Sequence, residues 1–126
     1  MTRPTAPLTV TCLCAEWCGA CREFRPLFDA LAASVAAHRW VWVDVEDEAD
    51  TVGDLDIETF PTLVVSGADT LLFAGPVLPR VADCQRLIES LEAGWRAGTP
   101  PPSARLPADM QRAYGAIAQA VQGRAA

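Results

Sequence analysis

The chain predicts an α/β fold: a central mixed four-stranded sheet flanked by helices, followed by an extra C-terminal helix. Three observations predict it. Short apolar runs alternate with stretches of helical periodicity in the order strand, helix, strand, helix, strand, strand, helix. The first half is a strand–helix–strand unit, which requires a parallel pair and a right-handed crossover. The second half closes on two strands around a short glycine-containing turn, which adds an antiparallel edge.

Residues 8–14, LTVTCLC, form the first predicted strand, short, β-branched and bounded by Pro7. A helix follows from about Cys18 to Ala37, with Phe24, Leu27, Phe28, Leu31 and Val35 on one face and Pro26 inside to kink it. Residues 40–45, WVWVDV, are the second strand, and 47–55 a short acidic helix. Residues 62–66 and 70–74 are two strands joined by Gly67, Ala68 and Asp69. Residues 80–93 form an amphipathic helix through Val81, Cys84, Leu87, Ile88 and Leu91. Residues 97–107, AGTPPPSARLP, are a Pro-rich linker expected to be extended. A last helix over about 107–122 carries Leu106, Met110, Ala113, Tyr114, Ile117 and Val121 on one side. The division is therefore one domain over residues 1–96, with the 97–126 linker and helix packing on it.

Composition narrows the function. The 126 residues are half hydrophobic, enough for a real core, and carry a net charge of −6. Every cation is an Arg, and there is no Lys or Asn. An acidic chain of this kind argues against nucleic acid as a partner. No apolar run is long enough to span a bilayer, so no membrane partner is expected. The first ten residues show no basic-then-apolar leader, which predicts a cytoplasmic location, or a periplasmic one had a signal been removed. Charge is uneven: the tail from residue 95 is basic overall, whereas Asp44 to Glu58 holds eight acids and no base. That stretch reads as a solvated face or a site for basic partners.

The five cysteines, Cys12, Cys14, Cys18, Cys21 and Cys84, are an odd number and make no closed disulfide framework. The chemistry concentrates in Trp17-Cys18-Gly19-Ala20-Cys21, where a strand gives way to a helix. Two Cys at this spacing can bridge one turn. The first sits at the helix N-terminus, where unpaired N–H groups and the helix dipole favour its thiolate, the reactive form. Gly19 and Ala20 are small and leave Cys18 open. Half of a zinc site is the competing reading of C-x-x-C, but a single His and no second C-x-x-C supply no obvious remaining ligands, and no metal is assigned.

With these residues in place the chain resembles the thioredoxin family over roughly residues 8–94. The resemblance rests on Ala15-Glu16-Trp17-Cys18-Gly19-Ala20-Cys21, on Pro26 five residues later, on Phe60-Pro61-Thr62 opening a strand, and on Gly75. It implies a thiol–disulfide oxidoreductase acting on protein disulfides, with an unidentified electron donor, no cofactor, and a monomer or weak dimer. By position, Cys18 attacks the substrate disulfide and Cys21 resolves the mixed disulfide. Pro61 is the cis-proline facing the pair and presents the backbone of Phe60 to a substrate strand. Trp17, Gly19, Ala20 and Gly75 complete the substrate surface. A non-catalytic interaction module and a metal carrier using Cys18 and Cys21 remain the alternatives.

The sequence also departs from the family pattern. Ala20 replaces the usual proline between the cysteines, which shifts the reduction potential. The buried Asp six residues before the first active Cys is Cys12, and its Lys partner on the next strand aligns with Trp42. A family Trp position holds Cys14. Cys12 and Cys14 point to one side of their strand, as auxiliary redox thiols or, the favoured reading, as small apolar filler. Glu16 is the nearest carboxylate by sequence, with no base role assigned. The family's first strand and helix have no counterpart before Leu8, which uncovers one sheet face that the C-terminal helix is expected to fill. His38 is expected to cap the helix before it, and Cys84 to be inert.

Overall fold

A computed structural model describes residues 8–15, 17–35, 37–53, 57, 60–68 and 70–122. Glu16, Asp69, Arg124 and the Asp54, Asp56 and Glu58 end of the acidic stretch lie outside the described residues. The chain runs β1 (Leu8–Cys14), α1 (Gly19–Ser34), β2 (Arg39–Asp44), α2 (Ala49–Val52), β3 (Thr62–Gly67), β4 (Thr70–Pro76), α3 (Val81–Ala97), a 3₁₀ turn (Pro102–Arg105) and α4 (Ala108–Gln122). The strands form one sheet in the order β2-β1-β3-β4. β1 pairs with β2 in parallel and with β3 antiparallel, and β3 pairs antiparallel with β4. This is the mixed four-stranded sheet that the pattern of elements predicts.

Strand alternation divides the side chains of β1 between two cores. Leu8, Val10, Cys12 and Cys14 join Phe24, Phe28 and Leu31 of α1 and Cys84, Ile88 and Leu91 of α3 on one face. Leu13 joins Val43, Val64 and Ala74 beneath Tyr114, Ile117, Ala118 and Val121 of α4 on the other. All seven β1 residues are buried, because both faces of the sheet are covered. The C-terminal helix therefore packs on the face left open to it, and its contacts extend to α2.

Three local expectations need correction. Residues 97–107 are not an extended linker. α3 runs on to Ala97 and ends at Gly98, whose φ of 75° is the left-handed stop that glycine accepts most easily. After the prolines the chain then turns, and the buried Ser103 hydroxyl donates to the Leu71 carbonyl of β4. Second, the His38 imidazole does not cap α1. Its Nδ1 accepts the Leu8 backbone N–H at 3.1 Å, and its Nε2 lies 3.8 Å from Glu92 of α3. The Val35 carbonyl at the helix end is met instead by Trp40 Nε1 at 2.8 Å and by the His38 backbone N–H. Third, the acidic helix starts late, at Ala49 of α2, because Asp44 Oδ1 accepts the Glu46 and Asp47 backbone N–H groups at 2.9 and 3.0 Å and holds the chain before it in a turn.

Candidate active site

β1 delivers the chain to the site, and α1 carries it away. Cys18 is the residue on which α1 begins: its carbonyl accepts from Arg22 at 3.2 Å, and its own N–H reaches back to Ala15 at 3.0 Å. Its side chain makes no capping bond and remains a free, half-buried thiol. Gly19 is exposed, with no other heavy atom within 4 Å of where a Cβ would stand, so the approach to Cys18 is open on that side. Ala20 is half-buried on the first turn.

An aromatic pair stands next to the Cys18 turn. Trp17 is 63% exposed, and its ring meets Phe60 edge-on with centroids 5.8 Å apart. The Phe60–Pro61 peptide bond is cis. Pro61 is buried, and its carbonyl accepts the Val77 N–H at 3.1 Å, which ties the end of β4 to the start of β3. Gly75, opposite Leu63 in that ladder, is half-buried, and the Phe73 ring packs 3.5 Å from the place of its missing Cβ. Trp17, Phe60, Pro61 and Gly75 thus belong to one end of the sheet, the end at which β1 passes into the Cys18 turn.

The sulfur pairing is the main departure from expectation. Cys21, 1% exposed, is bonded to Cys14 and not to Cys18, with the two Cα atoms 5.7 Å apart. Its sulfur also receives the Ala15 N–H at 3.4 Å. Cys14 is therefore not mere filler. The clue was in the sequence: Cys12 and Cys14 share one strand face, and that strand runs straight into the C-x-x-C turn. Cys12 does remain filler: it is fully buried, with its Sγ 3.8 Å from that of Cys14. Burial, and then the neighbouring Cys84, push its thiol far above the ordinary range. Cys84 is buried too, donates weakly to the Leu78 carbonyl, and is raised to about 11 by burial and then by Asp83. Both lack the thiolate character that reactivity requires.

Where the family pattern has a buried acid and a base, Cys12 and Trp42 stand opposite each other in the β1–β2 register. Trp42 packs on Phe24 and Phe28, and the Arg25 guanidinium lies 4.7 Å over its ring. A cleft of about 410 Å3 opens between α1 and the end of β2, lined by Ala15, Cys21, Arg22, Arg25, Trp42, Asp44, Asp47 and Glu48. No group of three or more His, Cys, Asp or Glu side chains among the described residues is arranged to hold a metal ion.

The family model described as Thioredoxin matches residues 4–74, more than half of the chain. Thioredoxin of Ictalurus punctatus is 39% identical over 57 residues, covering 44% of this chain and 53% of that protein. Putative thioredoxin 2 of Streptomyces coelicolor is 32% identical over 69 residues, covering 54% of this chain and 52% of that protein. The chain thus spans about half the length of these curated relatives. Among solved structures, Fasciola hepatica thioredoxin superposes with a TM-score of 0.61 at 22% identity, covering 68% of this chain and 82% of that one. Mitochondrial thioredoxin 3 of Saccharomyces cerevisiae gives 0.58 at 21%, covering 68% and 79%. These two likenesses concern the fold. With the family model matched over most of the sheet and over the Cys18 turn, the chain belongs to the thioredoxin family, whose members are thiol–disulfide oxidoreductases.

Proposed function

We propose that this protein exchanges thiols with disulfides, reducing protein disulfides with Cys18 as nucleophile and Cys21 as resolving thiol. The observation that carries the reading is the asymmetry of the two. Cys18 is free and partly accessible at the N-cap of α1, while Cys21 lies buried one turn further on. Attack on a substrate disulfide forms a bond from Cys18 to one substrate sulfur and releases the other as thiolate. Cys21 Sγ then displaces the bound sulfur from Cys18, leaving the substrate reduced. Before that cycle starts, the Cys14–Cys21 bond must be reduced, which is the task of an electron donor.

Trp17 and Phe60, in edge-on contact next to the Cys18 turn, suit an extended peptide segment, with open space at Gly19 and with Ala20, Pro61 and Gly75 as the rest of the substrate surface. Cys12 and Trp42 stand opposite each other where the family pattern has an acid and a base, so the carboxylates that share the cleft with Cys21, Asp44, Asp47 and Glu48, are the described candidates to take its proton in the resolving step. The odd cysteine count and the inert Cys12 and Cys84 suit a reducing, cytoplasmic setting. Residues 1–96 form the catalytic domain in this reading, and 97–126 its supporting tail.

Insulin reduction with dithiothreitol as donor tests the proposal. Turnover above the dithiothreitol background is expected, and its loss in Cys18→Ser. Turnover no faster than background in the reduced protein would favour a non-catalytic interaction module. A stoichiometric metal content on purification would favour a carrier.

A further inference from the structure

We propose that Cys14 is a third exchanging thiol: it takes Cys21 from the Cys18–Cys21 disulfide, so that the oxidised protein rests as Cys14–Cys21 with Cys18 a free thiol. The inference rests on the reading of Cys18 as nucleophile and extends it. Cys21 is within reach of two partners. Cys18 is three residues away on the first turn of α1, and Cys14, at the end of β1, is bonded to it with a Cα separation of 5.7 Å.

The step balances without an outside oxidant. After substrate turnover the protein carries Cys18–Cys21. Cys14 loses its proton, and its thiolate attacks Cys21 Sγ. The Cys18–Cys21 bond breaks, the Cys14–Cys21 bond forms, and the electron pair leaves on Cys18 Sγ as a thiolate, which takes up a proton from solvent. One disulfide is exchanged for another, and nothing is oxidised or reduced overall.

Two features set its direction. The bond the structure holds is Cys14–Cys21, with both sulfurs buried among apolar neighbours, where a disulfide leaves no S–H group without a partner. Cys18 is the partly exposed one of the three, so its freed thiol is met by solvent. The free thiol then lies outside and the disulfide inside. The consequence is a change of chemistry with redox state. Reduced, the site resolves its own mixed disulfides. Oxidised, it presents Cys18 alone and can hold a partner sulfur but not release it through Cys21. Cys14 and Cys21 are both 1% exposed, so Cys18 is also the route by which oxidant or donor reaches the inner bond.

The test uses the full-length protein, oxidised with one equivalent of glutathione disulfide after reduction and desalting. Free thiols are labelled natively with N-ethylmaleimide, then, after unfolding, with a second, heavier maleimide. Fragmentation of the labelled peptide places each label. The native label is expected on Cys18, the second on Cys12 and Cys84, and none on Cys14 or Cys21. A label on Cys14 with none on Cys18 and Cys21 would overturn the proposal. Cys18→Ser should form the Cys14–Cys21 bond at least about tenfold more slowly, since the buried pair must be reached without its gate. Oxidation at the wild-type rate would refute the route through Cys18. In Cys14→Ala, the oxidised protein should lose its native label on Cys18, and a Cys18 that still labels fully would count against the exchange. Insulin turnover distinguishes the failures. Turnover with a Cys18–Cys21 map sinks only the third thiol, whereas no turnover with a Cys14–Cys21 map sinks only the reductase.

Discussion

Cys18, Cys21, Cys14, Cys12 and Cys84 are one residue type in five environments, and environment decides what each does. Accessibility leaves Cys18 open to react, whereas the burial that pushes Cys84 up to about 11 silences it. The same burial has a consequence for stability. An unfolded thiol ionises near 9.0, and the folded Cys84 only around 11, so between these values the folded state holds more protons than the unfolded one. Stability is therefore intact below about pH 9 and falls as pH rises through the window to about 11. Cys12, raised further still by burial, acts in the same direction. A melting series across that window should show the decline, and Cys84→Ala should flatten it; an equal slope in the variant would show that other groups cause it. At the active pair, Cys21→Ser should leave attack intact and trap mixed disulfides on Cys18, seen as covalent adducts on non-reducing gels and released by dithiothreitol. A variant that turns over insulin normally would remove Cys21 from the resolving role.

At the level of elements, the sequence was most legible where hydrophobic periodicity alone sets structure. β1, β3, β4 and the three long helices fall within a few residues of their expected limits, because each buries a face whose spacing is written in Val, Leu, Phe and Ile. It was least legible where a distant residue decides. His38 turns from the α1 end because the Leu8 N–H and Glu92, remote in sequence, offer better partners. Cys14 meets Cys21 only because β1 and α1 come together at the Ala15–Gly19 corner, which no spacing rule specifies. The stretch after α3 turns because Ser103 finds the Leu71 carbonyl. Gly67 belongs to the same class. It ends β3 directly under the Trp95 indole of α3, and a Cβ there would stand 2.8 Å from the ring. Gly67→Val should therefore push Trp95 and the end of α3 off the sheet, at a cost of about 1–3 kcal/mol. Chemical denaturation should show it, with the summed tryptophan emission of the native protein shifted to the red. Unchanged stability would mean that α3 is not held at this point.

Across the whole molecule, the unusual element is the tail, and the question is whether it is an accessory or part of the fold. Leu13, Val43, Val64 and Ala74, one from each of the four strands, and α4 residues Tyr114, Ile117, Ala118 and Val121 form one cluster, all buried. Leu13 is the immediate neighbour of Cys14, so the helix supports the strand that carries the disulfide from the opposite side of the sheet. Burying a large apolar side chain contributes roughly 1.5–3 kcal/mol, and the tail supplies Tyr114, Ile117 and Val121 besides the strand residues it covers. A domain of this size is stable by only about 5–15 kcal/mol in all. Truncation after Gly98 should therefore lower the melting temperature by at least about 10 °C and expose an apolar sheet face that binds a hydrophobic dye. Charge attraction between the basic tail and the acidic stretch around α2 would be screened by salt, whereas apolar packing would not. The melting difference between full-length and truncated protein should therefore persist in 0.5 M salt, a concentration at which the Debye length is about 4 Å. A truncated chain that dimerises would show the open face seeking a substitute. One that stays monomeric and equally stable would show that the helix stabilises nothing, and the tail would then be free to serve a partner instead.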